Sequence, residues 1–314
     1  MIEIAKYSPD MAAQWNATAL AAKNSTFLHL REYMDYHSHR FTDCSLVAHD
    51  GGRVVALLPA NVNGHTLHSH QGLTYGGWLL PAKHFDAAAM LRLWDVMAQT
   101  LRGWGIKTVE YKAVPHIYHS YPAEEDLYAI FRAGGELSAC AISSAIPLSR
   151  PIRFNENARR GLKTAKSAGL TVRESDDFAP FWDVLTRLLG QRYGVSPVHS
   201  LDEITLLRSR FPENIRLFTA HHGDGGDTLA GVVVYHTGLV AHAQYIAASP
   251  QGKRSGALPL IFDHLISLFS GSAEWLDFGI STEQDGTLLN EGLLRQKAGM
   301  GGRGIVYSTY TIKL

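Results

Sequence analysis

Two stretches of the chain hold residue types at spacings that can do chemistry. Gln251, Gly252, Lys253, Arg254, Ser255 and Gly256 join the strand-like LVAHAQYIAAS to the helical ALPLIFDHLI. The N–H groups that open a helix lack intrahelical partners and sit at the positive end of its dipole, so a glycine-containing turn there suits a pyrophosphate. Packing alone also places glycines at strand-to-helix turns. Downstream, WLDFGIS reads as a strand whose two-residue period puts Asp277, Gly279 and Ser281 on one face, at an end where strands open a crevice. An aspartate there can take a proton or anchor an ammonium, and it can equally cap a helix or pair with an arginine.

The first half offers a different set. His68, His70, Gln71 and Tyr75 run into Gly76 and Gly77, and Pro115, His116, Tyr118 and His119 follow the next strand. Together they read as a wall for binding an acceptor substrate, although loop packing would use the same residues. The sixteen histidines are dispersed and form no HExxH or mixed Cys/His spacing, so no metal site is expected. Cys44 and Cys140 lie far apart without CxxC spacing, which predicts buried, inert thiols in a reducing compartment.

The elements that position these residues occur twice, at an offset of about 174 residues. SLVAHDGGRVVALLPANVNGHTLHSHQGL leads into the helical DAAAMLRLWDVMAQTLRGWG and the strand IKTVEYKAV. RLFTAHHGDGGDTLAGVVVYHTGLVAHAQYIAAS leads into ALPLIFDHLISLFSGSA and the strand EWLDFGIS. Turns at Asp50 to Gly52 and Asp224 to Gly226, then at Asn63-Gly64 and Thr237-Gly238, mark hairpins. Apolar residues at helical spacing, Leu91, Trp94, Met97, Ala98 and Leu101 or Leu260, Ile261, His264, Leu265 and Leu268, give each helix one face for a sheet. The order β-β-β-α-β therefore appears twice. Pro147 and Pro151 separate the halves near Arg150, giving lobes 1–149 and 150–314. A basic helix over 155–168 opens the second lobe, with Arg159, Arg160, Lys163 and Lys166 as a solvated face or an anion contact.

At 314 residues with 46% hydrophobic and 18% charged residues, the chain reads as globular with room for two cores. A formal net charge of zero gives no bulk attraction to nucleic acid, so a DNA partner is not expected. No basic leader or uninterrupted apolar run of spanning length is seen, which predicts a cytoplasmic protein without a membrane span. Oligomeric state is not legible.

The loop from Gln251 to Gly256 resembles the acyl-CoA loop of GNAT-type acetyltransferases, with Arg254 in the place of its middle glycine. The corresponding LLPAKHFDAAAM of the first half has no glycine, so its donor loop is read as lost. Asp277-Phe278-Gly279, followed by Lys297, Gly299 and Gly301, resembles a signature of FemAB-like proteins, with Gln296 and Met300 replacing the motif's aromatic residues. The basic helix resembles the opening of their second lobe.

That resemblance implies a mixed α/β fold of two tandem GNAT-like lobes, each a mostly antiparallel twisted sheet flanked by helices. It implies an N-acyltransferase that takes acetyl-CoA or another acyl-CoA and acts on an amino sugar, amino acid or cell-envelope precursor. Gln251 to Gly256 would hold the donor. Asp277 would be the base, and Lys297 would neutralise an oxyanion or phosphate. Tyr245, beside Gln244 and Ile246 on the strand that offers oxyanion donors, would protonate the thiolate. His68, His70, Gln71, Tyr75 and Ser281 would meet the acceptor. The FemAB alternative is an aminoacyl-tRNA donor, disfavoured because long helical insertions and an arginine-rich tract are absent. A noncatalytic ligand-binding protein of the same fold is the third reading.

Overall fold

The computed structural model describes residues 1–223 and 226–314, so Asp224 and Gly225 of the expected second turn lie outside the described residues. The chain forms two compact units. One comprises Met1–Ala141, Gln284–Thr287 and Val306–Leu314; the other comprises Ile142–Glu283 and Leu288–Ile305. A linear cut at 149/150 misses that the C-terminal residues count with the first unit.

In the first unit, β1 (Ile2–Lys6), β2 (Leu46–Asp50) and β3 (Arg53–Leu58) form an antiparallel sheet. The β2–β3 turn uses Gly51 and Gly52 at φ +58° and +77°, a combination that suits a tight hairpin and favours glycine. A second run takes β4 (Asn61–Asn63), β5 (Thr66–His68) and β6 (Thr108–Lys112), with β4–β5 antiparallel and β5–β6 parallel. Between β5 and β6 comes α1 (Ala87–Gly103), capped by Asp86, whose side chain accepts from the Ala89 N–H. Trp94, Met97, Ala98 and Leu101 of α1 are buried as its spacing predicts, joined by Met90 and Leu93, while the expected Leu91 is half-buried.

In the second unit, α2 (Glu156–Ser167) leads to β7 (Leu170–Ser175), α3 (Ala179–Tyr193) and α4 (Leu201–Arg210). The meander β8 (Ile215–His222), β9 (Ala230–His236) and β10 (Val240–Ala248) follows, then α5 (Pro250–Arg254), α6 (Ala257–Phe269), β11 (Trp275–Ile280) and α7 (Glu291–Gly299). The strands run in the order β11-β10-β9-β8-β7, antiparallel except for the parallel β10–β11 pair. One face carries α2 and α6 over a core of Phe218, Val232, Val234, Ala241, Ala243, Ile261, Phe262, Leu265, Leu276 and Phe278. Each large apolar side chain buried there contributes about 1.5 to 3 kcal/mol. The last turn of α6 buries Phe269 and leaves Leu268 exposed, one position from the expected stripe.

Both units are thus mixed α/β with mainly antiparallel sheets flanked by helices, as the duplicated pattern implies. Cys44 is buried and Cys140 half-buried, and neither is in a disulfide. Among the described residues no helix is long and apolar enough to cross a membrane, and no group of three or more His, Cys, Asp or Glu side chains gathers as metal ligands.

Candidate active site

The second unit opens a crevice where β10 and β11 part. Their parallel register covers Val240↔Trp275, Ala241↔Leu276 and His242↔Asp277. Beyond it β10 continues to Ala248, while β11 turns through Gly279 at φ +76° and its pairing with residues 143–147 shifts register between Asp277 and Ile280. Left-handed backbone is cheap for glycine alone, so Phe278-Gly279 is where this strand can swing away. The same kink breaks the two-residue alternation, so the expected common face of Asp277, Gly279 and Ser281 does not form. Ser281 lies beyond the kink, buried, with its N–H on the Ile142 carbonyl and its hydroxyl without a hydrogen-bond partner.

At the fork, Asp277 is fully buried. Its Oδ1 accepts from Ser143 Oγ at 2.5 Å and the Gly279 N–H at 3.2 Å, and its Oδ2 meets His242 Nδ1 at 2.8 Å. A buried carboxylate with two other donors is fixed as an acceptor, so His242 carries its hydrogen on Nδ1 and presents Nε2 as the basic nitrogen. Asp277, expected as the base, is thus engaged with His242, an imidazole that the sequence reading did not single out. The signal was present: His242 stands 174 residues after His68, at the same place in the repeat.

A bulge in the β9–β10 pairing, where Val233↔Tyr245 is followed by Val234↔Ala243, inserts Gln244. It resets the alternation, so His242 and Tyr245 share the face opposite α6. Tyr245 is buried against Trp182 of α3, ring centroids 5.1 Å apart. Its hydroxyl accepts from the His199 backbone N–H at 3.2 Å and lies 2.5 Å from His199 Nδ1. His199 precedes the Ser200 cap of α4 and carried no recognisable motif.

Lys297 on α7 is buried, and its ammonium donates to the carbonyls of Gly279 and Ile280 at 2.7 and 2.6 Å. Burial pushes it down to about 8, with nearby Asp277 acting in the opposite direction. The expected neutraliser of an oxyanion or phosphate is thus engaged in holding the kink of β11.

The expected donor loop is the helical turn α5. Gly252 N–H donates to Ser249 Oγ, Lys253 N–H to the Ser249 carbonyl, Ser255 N–H to Gln251 and Gly256 N–H to Lys253. These four amides are engaged within the turn. Gly256 has φ +74°, and a Cβ there would lie 2.1 Å from the Gly161 carbonyl of α2; a Cβ on Gly252 would meet Leu229 as closely. Both glycines are accounted for by close backbone packing. Beside the loop lies a cleft of about 720 Å³ with an apolar floor of Val184, Leu188, Leu229 and Ala248. Arg187, Gln251, Lys253 and Arg254 stand around it with Asp183 and Asp227. On α2, Arg159 and Lys163 are exposed while Lys166 pairs with Asp263 at 3.0 Å.

In the first unit the parallel register is Thr66↔Thr108, Leu67↔Val109 and His68↔Glu110, again histidine opposite carboxylate. Here the strands do not part. Ser69 N–H donates to the Glu110 carbonyl at 2.8 Å, Lys112 N–H to Ser69 Oγ at 2.7 Å and Gly76 N–H to the Lys112 carbonyl at 3.0 Å, so the following segment fills the slot. His70 is buried at φ +67° against the rings of His37 and Phe41, and burial pushes it down to about 3. Tyr75 is buried against Tyr118, and Gln71 bonds Asn61. His68 and Gln71 reach the surface; His70, Tyr75 and Tyr118 are core residues, so the expected acceptor wall is not formed as a set.

Residues 153–285 match the family model described as an acetyltransferase (GNAT) domain. The fold is similar to the crystal structure of FemX at 12% identity, covering 99% of this chain and 97% of that one with a TM-score of 0.69. It is also similar to L-PGS from Bacillus licheniformis at 12% identity, 98% and 92% coverage and a TM-score of 0.62. A tandem GNAT protein from the clavulanic acid biosynthesis pathway shares 14% identity over 100% and 98% of the two chains, with a TM-score of 0.52. No curated protein matches the chain in sequence.

Proposed function

We propose, starting from the match of residues 153–285 to an acetyltransferase (GNAT) domain and from a fold shared with FemX, that the second unit transfers an acyl group from acyl-CoA to an amine. The observation that carries this reading is the parting of β10 and β11 directly after a buried Asp277–His242 pair. A slot between strands offers backbone hydrogen-bonding groups to a thioester carbonyl, and an oriented imidazole at its mouth can take a proton from the attacking amine. Tyr245, on the same face, supplies the proton for the leaving thiolate. The apolar floor and cationic rim beside α5 suit a donor with an apolar arm and phosphates, with Arg187, Lys253 and Arg254 replacing a backbone cradle.

The acceptor in this reading is the amine of an amino sugar, an amino acid or a cell-envelope precursor, in keeping with a fold shared with FemX and L-PGS. The protein acts in the cytoplasm, where its donor is made. One observation favours a second donor, an aminoacyl-tRNA: four amides of the loop, those of Gly252, Lys253, Ser255 and Gly256, are engaged within the turn.

The test is release of free thiol from acetyl-CoA and longer acyl-CoAs over a panel of amines, with aminoacyl-tRNA consumption in parallel. Amine-dependent thiol release that disappears in His242→Ala supports the proposal. Aminoacyl-tRNA consumption alone replaces the donor, and inactivity in both leaves a ligand-binding protein.

A further inference from the structure

We infer that His199 is a positioning residue that makes Tyr245 the general acid of the transfer, an inference that rests on the acyl-transfer reading of the same crevice. Two groups of one residue converge on the phenolic oxygen: the His199 backbone N–H at 3.2 Å and Nδ1 at 2.5 Å. A hydroxyl oxygen has two acceptor sites and one hydrogen to give. The backbone N–H takes one site; in the tautomer that the inference assigns, Nδ1–H takes the other, and the phenol's own hydrogen is the one it delivers.

The consequence is chemical. Two N–H donors stabilise the phenolate more than the phenol, because hydrogen bonds to a charged oxygen are stronger than those to a neutral one. The pair is buried, His199 at 4% exposure and Tyr245 at 9%, which magnifies that difference. Among the groups packed on Tyr245 are His199 and the Trp182 ring, and on the same face of β10 stands His242, bonded to Asp277 of β11. Acid and base thus stand three residues apart on one strand, brought to one face by the Gln244 bulge.

The step balances. The amine nitrogen bonds to the thioester carbon, the carbon–sulfur bond breaks, the amine proton passes to His242 Nε2 and the Tyr245 proton passes to the thiolate. Solvent then returns one proton to Tyr245 and removes one from His242.

Two measurements test this. With 13Cζ-labelled tyrosine, the Tyr245 signal, assigned by its loss in Tyr245→Phe, is titrated in the ligand-free protein. His199→Phe should raise its midpoint by about one unit or more, and His199→Asn, whose side-chain amide can replace Nδ1–H, should restore it. An unchanged or lowered midpoint in His199→Phe overturns the inference, because the phenol then donates to the imidazole.

In turnover, His199→Phe should lower kcat by about 10- to 100-fold with little change in KM, and Tyr245→Phe should lower it as much. The double variant should be no worse. An aryl thioester, whose thiolate leaves without a proton, should recover most of that loss; equal losses with alkyl and aryl thioesters overturn the acid role. Wild-type protein inert toward every thioester refutes the acyl-CoA donor, while the tyrosine titration still decides the His199 contact.

Discussion

Asp277→Asn separates chemistry from stability at the crevice. The side chain is fully buried and accepts three hydrogen bonds, from Ser143 Oγ, the Gly279 N–H and His242 Nδ1. An amide is isosteric but has one accepting oxygen and one donating nitrogen. If its oxygen keeps Ser143 and Gly279, its NH₂ faces Nδ1, and His242 must move its hydrogen to Nε2. The basic nitrogen is then lost from the crevice, so kcat should fall on the order of 10³-fold, as for other oriented imidazole bases. Stability should change much less. Losing charge-assisted hydrogen bonds costs about 2 to 3 kcal/mol, while removing a fully buried charge returns a similar amount, so unfolding should shift by about 1 kcal/mol. Turnover, denaturant unfolding and the 15N tautomer signals of His242 read the three effects. Retained turnover with the hydrogen still on Nδ1 would refute the reasoning.

Three other outcomes follow from the geometry. Gly256→Ala should cost about 3 kcal/mol in denaturant unfolding, with or without acyl-CoA, because a Cβ at φ +74° would meet the Gly161 carbonyl; an unaltered midpoint would show that α2 and α6 can separate. Burial raises Asp126 to about 6 from 3.8. Between those values the folded protein binds more protons than the unfolded chain, so stability falls as pH rises, by about 3 kcal/mol near pH 7. Asp126→Asn should flatten that slope. Burial lowers Lys297 to about 8 from 10.5, so the unfolded chain binds more protons across that window and stability rises with pH there, by about 3 kcal/mol. Lys297→Met should lack the rise, and parallel pH curves for the two proteins would count against it.

The sequence was most legible where one residue type decides local backbone. The Asp50 to Gly52 turn, the basic helix after Asn155 and most of the apolar faces of α1 and α6 stand where spacing put them. The site was legible as a place and only partly as a mechanism. Asp277 was found because it ends a strand, but its partner is an imidazole on the neighbouring strand, and pairing across strands has no local signature. The bulge at Gln244 and the kink at Gly279 each shift side-chain alternation by tertiary fit, so period-two reasoning failed beyond both. Gly252 and Gly256 resembled ligand glycines because close backbone contact and ligand contact both require the absence of a Cβ.

The parallel register that sets His242 opposite Asp277 also sets His68 opposite Glu110. The protein therefore carries its own control: two copies of one strand pairing, one open and one plugged by Ser69 and Gly76. The two pairs differ in their contacts: Glu110 accepts from Thr311 Oγ1 at 2.7 Å, whereas Asp277 meets His242 Nδ1 at 2.8 Å. A reaction confined to the second copy draws on the gap between strands together with the His242–Asp277 hydrogen bond. In the first copy the segment after β5 occupies the slot, while the register that sets a histidine opposite a carboxylate is kept.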